Sequence, residues 1–229
     1  EPDFYDDGAV LIGADGRIEA LGPTDEVAPQ DVRDAFDGEV VDLGGNLVLP
    51  GLINPHMHLY STLARGMPLL AGDPPANFTE VLERIWWPLD RALDEESVYL
   101  SALLGLMECV RGGVTTIIDH HASEGWVAGS LDAVARAASD LGVRICTCFE
   151  TTDRDGEQVS RQGFEENVRF AAATQNDPGL LGGVASRAAT LGLHASLTLS
   201  ADSLARAKEL VGESGIPGVH VHVAEDKAD

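Results

Sequence analysis

From about residue 50 onward, apolar or β-branched stretches alternate with helical segments, and this alternation limits the fold more than any other feature of the chain. Such an order predicts a parallel sheet, open or closed, with helices packed against it. Several strand ends are separated by close to the average of about 31 residues per unit of a (β/α)8 barrel. We therefore predict an α/β fold with about five of the eight strands of such a barrel. The predicted strands cover Leu47–Ile53, Val114–Ile118, Val143–Phe149, Leu191–Leu193 and Val219–Val223.

Capping residues mark the ends of the intervening helices. Asp94 is a typical N-cap with acidic residues in the first turn after it, and the Gly112-Gly113 pair ends that helix. A second helix is predicted to begin at Ser130 and to end at Gly142, and a third to begin at Ser200.

Residues 1–50 have a different pattern. Short apolar stretches flank the turn at Asp15-Gly16, and a further apolar run surrounds Gly44-Gly45-Asn46. This pattern predicts a small β region with too little core to fold alone. We therefore place a domain boundary at residue 50, before a second part that covers residues 51–229. The longest insertion of that part, residues 59–96, is expected to cover the mouth of the barrel.

The chain is strongly acidic. It has 38 acidic and 15 basic residues, for a formal net charge of −23. A nucleic-acid-binding protein needs a basic surface, and anionic membranes attract basic segments, so the charge argues against both partners. Salt screens self-repulsion of this size, so the composition is typical of a protein from a halophilic source.

The cysteine count and the N-terminus bear on location. Three cysteines are an odd number and too few for a disulfide framework, which indicates a reducing cytoplasm. The first residues have no signal-peptide pattern, and no apolar run approaches the about 20 residues of a membrane-spanning helix. We predict a soluble cytoplasmic protein.

Two His-x-His pairs follow predicted strands. His56 and His58 are two residues apart, so on an extended segment both rings lie on the same side. His220 and His222 repeat the arrangement, and neutral imidazoles are good ligands of first-row metals, zinc above all. Glu225 lies three residues after His222, where a carboxylate can serve as acid and base beside a metal-activated water. The alternatives are a packed strand histidine for His220 and a helix N-terminal carboxylate for Glu225.

Other polar residues also follow predicted strands. His120, Glu150 and His194 can orient a substrate there, although structural hydrogen bonding explains them nearly as well. Lys208 and Lys227 are not at strand ends, so a lysine that bridges two metals is not expected, and a single metal is the better reading. The chain has no glycine-rich phosphate loop and no serine triad pattern.

Five sequence segments resemble the amidohydrolase superfamily in its aminohydrolase branch: the two His-x-His segments resemble its metal motifs, and the other three are most similar to the SsnA-like aminohydrolases. They are Pro50-Gly-Leu-Ile-Asn-Pro-His-Met-His58 with His220-Val-His-Val-Ala-Glu225, Trp86-Trp-Pro-Leu-Asp-Arg-Ala-Leu-Asp-Glu-Glu-Ser97, Ile118-Asp-His-His-Ala-Ser123 and Thr147-Cys-Phe-Glu-Thr-Thr-Asp-Arg154. The resemblance implies a TIM-type barrel flanked by a small β-sandwich, with residues 1–50 as the N-terminal part of that sandwich.

The resemblance also implies a site. His56, His58 and His222 would hold one divalent metal, zinc or iron, of which we expect zinc; Glu225 would transfer a proton, and His194 would contact the substrate or the attacking water. The family's sixth-strand histidine and late metal-binding aspartate have no counterpart among the 229 residues. We therefore expect the chain to be an N-terminal portion that by itself binds metal weakly and is inactive or nearly so.

We predict a metal-dependent hydrolase that deaminates an aromatic nitrogen heterocycle, purine-like or pyrimidine-like. The alternatives are a chlorohydrolase or cyclic-amide hydrolase of the same superfamily, and an inactive fragment that only binds metal or a partner. The expected partner is a small heterocyclic substrate, without nucleic acid or membrane, and a homo-oligomer is compatible with the sequence.

Overall fold

Residues 4–67, 74–175, 177, 186–225 and 227 are described by the structure, which is a computed structural model. The chain divides into two units, one formed mainly by residues 1–50 and the other by residues 51–177 and 185–229. In the first unit, β1 (Gly8–Ile12) and β2 (Ile18–Pro23) form an antiparallel hairpin, followed by α1 (Thr24–Val27) and α2 (Gln30–Ala35). The composite sandwich stays a prediction.

The second unit alternates strands with helices, as the sequence pattern predicts. Its elements in chain order are β3 (Leu52–Met57), a 3-10 helix (Leu59–Ala64), α3 (Phe78–Val81), a π-helical turn (Leu82–Trp86), α4 (Trp87–Ala92), α5 (Glu95–Arg111), β4 (Val114–His121), α6 (Ser130–Leu141), β5 (Arg144–Phe149), α7 (Glu157–Thr174), β6 (Arg187–Ala189), β7 (Leu191–Ala195), a second 3-10 helix (Ser196–Thr198), α8 (Ala201–Glu213) and β8 (Val219–His222).

The strands of the second unit run parallel in two sheets. The first sheet has the order β3-β4-β5-β6, and the second pairs β7 with β8. Only Thr190 separates β6 from β7, so one nearly continuous stretch pairs with β5 and then with β8. A single bridge between Thr151 and Leu193 adds a further link between the two sheets. Five of these six described strands overlap the five predicted ones, and β6 is an additional strand.

The predicted helix ends are confirmed. The Asp94 side chain accepts a hydrogen bond from the Ser97 backbone N–H, and the Ser97 hydroxyl accepts one from the Asp94 N–H, which completes a capping box. Gly142 ends α6 with a φ of 68°, a left-handed conformation that glycine adopts without strain. Ser200 caps α8 by accepting from the Ser203 N–H.

Two strand predictions are wrong in detail. The strand predicted for Leu47–Ile53 begins instead at Leu52 and continues to Met57, because the Pro50-Gly51 pair interrupts the apolar run and proline lacks the N–H that a ladder needs. The β structure expected around Gly44-Gly45-Asn46 is absent, since no described strand pairs with that segment. His56 consequently lies within β3 rather than beyond it.

Helices pack against the parallel strands and form with them two clusters of buried side chains. Residues of α5 and α6 pack around Ile117 and Ile145, and residues of α7 and α8 pack around Phe149 and Leu191. Gly192 lies directly against the Phe149 carbonyl, where a Cβ atom would overlap the backbone. No helix within the described ranges has the length and apolarity that crossing a membrane requires.

Candidate metal centre and active-site cavity

His58, which directly follows β3, and His222, which ends β8, lie close together, with ring centroids 5.0 Å apart and an interplanar angle of 28°. The His58 ring places Nδ1 2.8 Å from the His120 carbonyl oxygen, and the His222 ring places Nδ1 3.2 Å from the His194 carbonyl oxygen. Because a carbonyl only accepts, each neutral ring carries its proton on Nδ1, and its Nε2 is an unprotonated acceptor. The two Nε2 atoms are nevertheless 3.1 Å apart. Two acceptors at this distance need a cation between them, so the donor set fits a metal ion.

His120 and Glu150 complete a group of four. One ligand atom from each of His58, His120, Glu150 and His222 lies within 4.8 Å of the others. Glu150 Oε2 is 3.1 Å from His120 Nδ1, and Glu150 Oε1 is 3.4 Å from His194 Nε2. Imidazole and carboxylate donors suit zinc, iron and other first-row metals. The chain can therefore hold a divalent metal ion at this point.

Burial keeps the imidazole rings in the form that binds metals. Burial, together with the nearby His120, lowers the pKa of His222 to about 3 and that of His220 to about 4. Burial also lowers the pKa of His58 below its usual range. Burial alone would raise the pKa of Glu150, but its hydrogen bond with His120 and the charges of His194 and Arg154 outweigh it and lower that pKa. His58, His220 and His222 are therefore neutral, and the Glu150 carboxylate is charged, at pH 7.

His56 is placed beside this group rather than within it. Its Nδ1 lies 2.8 Å from His220 Nε2, and its ring centroid lies 4.8 Å from that of His58. The second His-x-His pair thus contributes His222 to the four-residue group and His220 to a contact with His56. The role of His56 as a metal ligand stays a prediction.

Asp119 fixes the chain that carries His58. Its side chain is fully buried, with Oδ1 accepting from the Leu59 N–H at 2.8 Å and Oδ2 from the Thr147 hydroxyl at 2.9 Å. Leu59 follows His58 directly, so the carboxylate on β4 holds the end of β3 in place. The sequence shows Asp119 at a strand end but gives no sign of this partner.

A cavity of about 220 Å³ adjoins the histidines. Glu225 is part of its wall and follows Ala224, which has a φ of 61°, a conformation that few residues other than glycine adopt. His194 also lines it and is held by Thr198, whose hydroxyl is 2.6 Å from Nδ1. The lining residues are His58, Tyr60, Ser61, Phe78, Leu82, Trp86, Trp87, Asp90, Glu150, Arg154, His194, His222 and Glu225.

The structure adds a buried charge cluster that sequence reasoning missed. Arg154 Nη2 donates to Asp90 Oδ2 at 2.6 Å and forms an ion pair with Glu124 Oε2 at 2.7 Å. The Arg154 guanidinium also lies over the Trp87 ring at 5.3 Å. The partners are far apart in the sequence, and no local pattern pairs them, so only the fold reveals the cluster.

The family assignment rests on a match over most of the chain. Residues 47–229 match the model of the amidohydrolase family, and this range includes every residue of the metal centre. The chain belongs to the amidohydrolase family. The sequence resemblance and the predicted α/β fold of this family, with a small antiparallel β region at the N-terminus, are thereby confirmed.

Curated relatives of this amidohydrolase include two deaminases. The 5'-deoxyadenosine deaminase of Methanosarcina mazei is 32% identical over 100% of this chain and 47% of its own length. The 5-methylthioadenosine/S-adenosylhomocysteine deaminase of Symbiobacterium thermophilum is 32% identical over 99% of this chain and 47% of its own. The amidohydrolase chain thus spans about half the length of the curated relatives that it matches.

Solved structures support the same fold. A guanine deaminase from Bradyrhizobium japonicum superimposes with a TM-score of 0.76, at 18% identity over 99% of this chain and 45% of its own. An adenosine deaminase from Xanthomonas campestris with bound zinc gives a TM-score of 0.67, at 22% identity over 94% of this chain and 44% of its own. At these identities the likeness shows the fold alone.

Proposed function

We propose that this amidohydrolase chain is part of a metal-dependent aminohydrolase, which removes an amino group from an aromatic nitrogen heterocycle as ammonia. The observation that carries the proposal is the pair of unprotonated Nε2 atoms of His58 and His222, 3.1 Å apart beside a cavity that Glu225 lines. Deaminases among the relatives support the choice of reaction.

His58 and His222 would hold the metal, with His56, His120 and Glu150 close enough to contribute. A bound divalent ion activates water at neutral pH. Glu225 accepts a proton from the attacking water and delivers it to a substrate nitrogen. The attacked carbon gains an oxygen and loses its bond to the amine, so the products are ammonia and an oxo-substituted ring. His194 orients the substrate from the cavity wall.

We extend the proposal to the setting of the enzyme. Zinc is proposed over iron because a structural neighbour carries zinc. The parallel strands are proposed to be part of a closed (β/α)8 barrel, and residues 1–50 part of a composite sandwich. The net charge of −23 and the three free cysteines support a cytoplasm of high salt concentration. A homo-oligomer is compatible with these features.

The test compares Glu225→Gln with the wild type in the protein expressed from the complete gene. Ammonia release is measured over a panel of aminopurines and aminopyrimidines, and bound metal by atomic emission. We expect the variant to keep its metal and to lose at least a hundredfold in kcat, because proton transfer contributes about 10²–10⁴-fold.

Glu213→Gln serves as the matched control, since Glu213 is exposed at the end of α8. It should keep the wild-type rate. A wild-type protein that binds zinc but releases no ammonia from any member of the panel would overturn the proposal, as would full activity of Glu225→Gln.

A further inference from the structure

We propose that Arg154, with Trp87, hydrogen-bonds a carbonyl oxygen of the substrate, so that the cavity selects amino heterocycles that also carry an oxo group. This inference rests on the proposed function and names its substrate class. The reacting amino group would lie toward His58 and His222, and the oxo group toward Arg154, at a different part of the cavity wall.

The first support is the incomplete hydrogen bonding of Arg154. Its Nε donates to Asp155 at 3.2 Å, and its Nη2 contacts Asp90 at 2.6 Å and Glu124 at 2.7 Å. Its Nη1 is buried and has no hydrogen-bond partner among the described residues. Glu150 Oε1 lies 3.8 Å away, beyond hydrogen-bonding distance. Because a buried guanidinium N–H without a partner is costly, Nη1 is suited to donate to a ligand.

Trp87 provides the second support. Its indole Nε1 is likewise buried without a partner in the described part of the chain, and its residue lines the same cavity. An indole N–H can only donate. Two residues that line one cavity thus each hold a buried donor without a described acceptor, and a ligand can bring the acceptor. A carbonyl oxygen has two lone pairs and can accept from both.

The charge around Arg154 indicates a neutral acceptor rather than an anion. Asp90 and Glu124 have almost no exposed side-chain surface, and both already pair with the guanidinium. Arg154 is the one arginine or lysine among the described residues that line the cavity, whereas Asp90, Glu150 and Glu225 are acidic. A carboxylate or phosphate ligand would meet these carboxylates, while an oxo group places only a partial charge beside them.

Asp90 supplies the complementary acceptor. Its Oδ2 is taken by Arg154, but its Oδ1 is buried without a hydrogen-bond partner within the described ranges. An oxo group beside a ring N–H presents both an acceptor and a donor. Such a ring edge satisfies Arg154 or Trp87 with its oxygen and Asp90 with its N–H. At about 220 Å³ the cavity is smaller than typical drug-sized pockets and suits one or two rings.

The test uses two pairs of probes that differ by one oxo group. Cytosine is compared with 4-aminopyrimidine, and isoguanine with adenine. Affinities are measured by calorimetry on protein with and without one equivalent of Zn²⁺, and quenching of tryptophan fluorescence gives a second readout near Trp86 and Trp87. The oxo member of each pair should bind at least tenfold more tightly, as a hydrogen bond to a charged group allows.

Variants test which residues cause the preference for oxo compounds. Arg154→Lys keeps the charge but loses the planar fork, and it should reduce the oxo preference to less than threefold. Arg91→Lys is the matched control, because Arg91 also pairs with Asp155, at 2.7 Å, but does not line the cavity. It should leave the preference unchanged. Trp87→Phe removes only the indole N–H and should reduce the preference several-fold, which keeps a test available if Arg154→Lys does not fold.

Equal affinities within both pairs for the wild type would overturn the inference, as would a full oxo preference in every variant that folds. These results are separate from the proposed function. Ammonia released equally fast from adenine and isoguanine would contradict the inferred substrate class but not the proposed reaction. A preference for oxo compounds that depends on Arg154, without any ammonia release, would contradict the proposed reaction but not the inferred binding site.

Discussion

Asp153 is predicted to be a main support of the loop that holds His194. Its carboxylate accepts hydrogen bonds from the Ser160 hydroxyl at 2.7 Å, the Ser200 N–H at 2.7 Å and the Ser203 hydroxyl at 2.7 and 2.8 Å. Its own N–H donates to the Thr198 carbonyl at 2.9 Å. One side chain therefore joins the β5–α7 connection to the N-terminus of α8.

We expect Asp153→Ala to lower the free energy of unfolding by about 3 kcal/mol. A hydrogen bond to a charged group contributes about 1.5–3 kcal/mol, and partial exposure reduces each of the three to about 1 kcal/mol. A loss of about 3 kcal/mol corresponds to a fall in Tm of about 6–12 °C for a chain of this size. The assay is urea unfolding followed by fluorescence, since the three tryptophans all lie in the second unit.

The effect should depend on pH in a defined direction. Burial opposes ionisation of Asp153, but the hydrogen bonds from Ser160, Ser200 and Ser203 outweigh it and lower its pKa. Stability from a carboxyl with a lowered pKa is complete above the unfolded value of about 3.9 and is lost as the pH falls through the folded value. The difference between wild type and Asp153→Ala should therefore be complete at pH 7 and smaller near pH 3.

The control is Asp202→Ala, which removes an exposed acidic residue from the first turn of α8. It should cost only the about 0.3–1 kcal/mol of a charge near a helix dipole. The reasoning is refuted if Asp153→Ala is no more destabilising than Asp202→Ala, or if its effect is the same at pH 3 as at pH 7.

Three further predictions follow from the structure. Asn167→Ala should destabilise the chain by about 3–5 kcal/mol in the same urea assay, because the buried amide oxygen accepts from the Phe149 N–H and the Gly192 N–H, and its loss takes the acceptor from both; a cost below 1 kcal/mol would contradict this. His222→Ala should weaken Zn²⁺ binding in a chelator competition at least tenfold more than His220→Ala does, because only His222 belongs to the four-residue group; equal effects would count against that group. Raising KCl from about 0.1 to 2 M should raise Tm, since salt screens the repulsion of a net charge of −23; a fall in Tm would refute this explanation of the composition.

The sequence predicts the parallel strands and the convergence of the histidines because both depend on local pattern. The alternation of strands and helices sets the fold, and the His-x-His spacing places His56 beside His58 on one segment. The capping signals at Asp94, Gly142 and Ser200 were likewise sufficient, because a cap acts within a few residues of the helix end.

Long-range partners were not predictable in the same way. Arg154 lies within a segment that carries the family resemblance, yet its contacts with Asp90 and Glu124 arise only when the ends of different strands meet a helix of the insertion. The predicted start of β3 was too early. The apolar run already begins at Leu47, whereas pairing with β4 begins only after Pro50. An apolar pattern indicates which residues tend to be buried. A strand forms only where a neighbouring strand is also available to pair with it.

The division of the parallel strands into two sheets has a consequence for cooperativity. Between β5 and β7 the described residues pair backbone to backbone only at the Thr151–Leu193 bridge, while His58 directly follows β3 and His222 ends β8. An ion shared by these two rings would tie the outer strand of one sheet to the outer strand of the other. Amide exchange should then show β7 and β8 opening independently in metal-free protein, and opening only with the rest of the unit after Zn²⁺ is added. The metal ion would then determine whether the second unit unfolds in one cooperative step or in two.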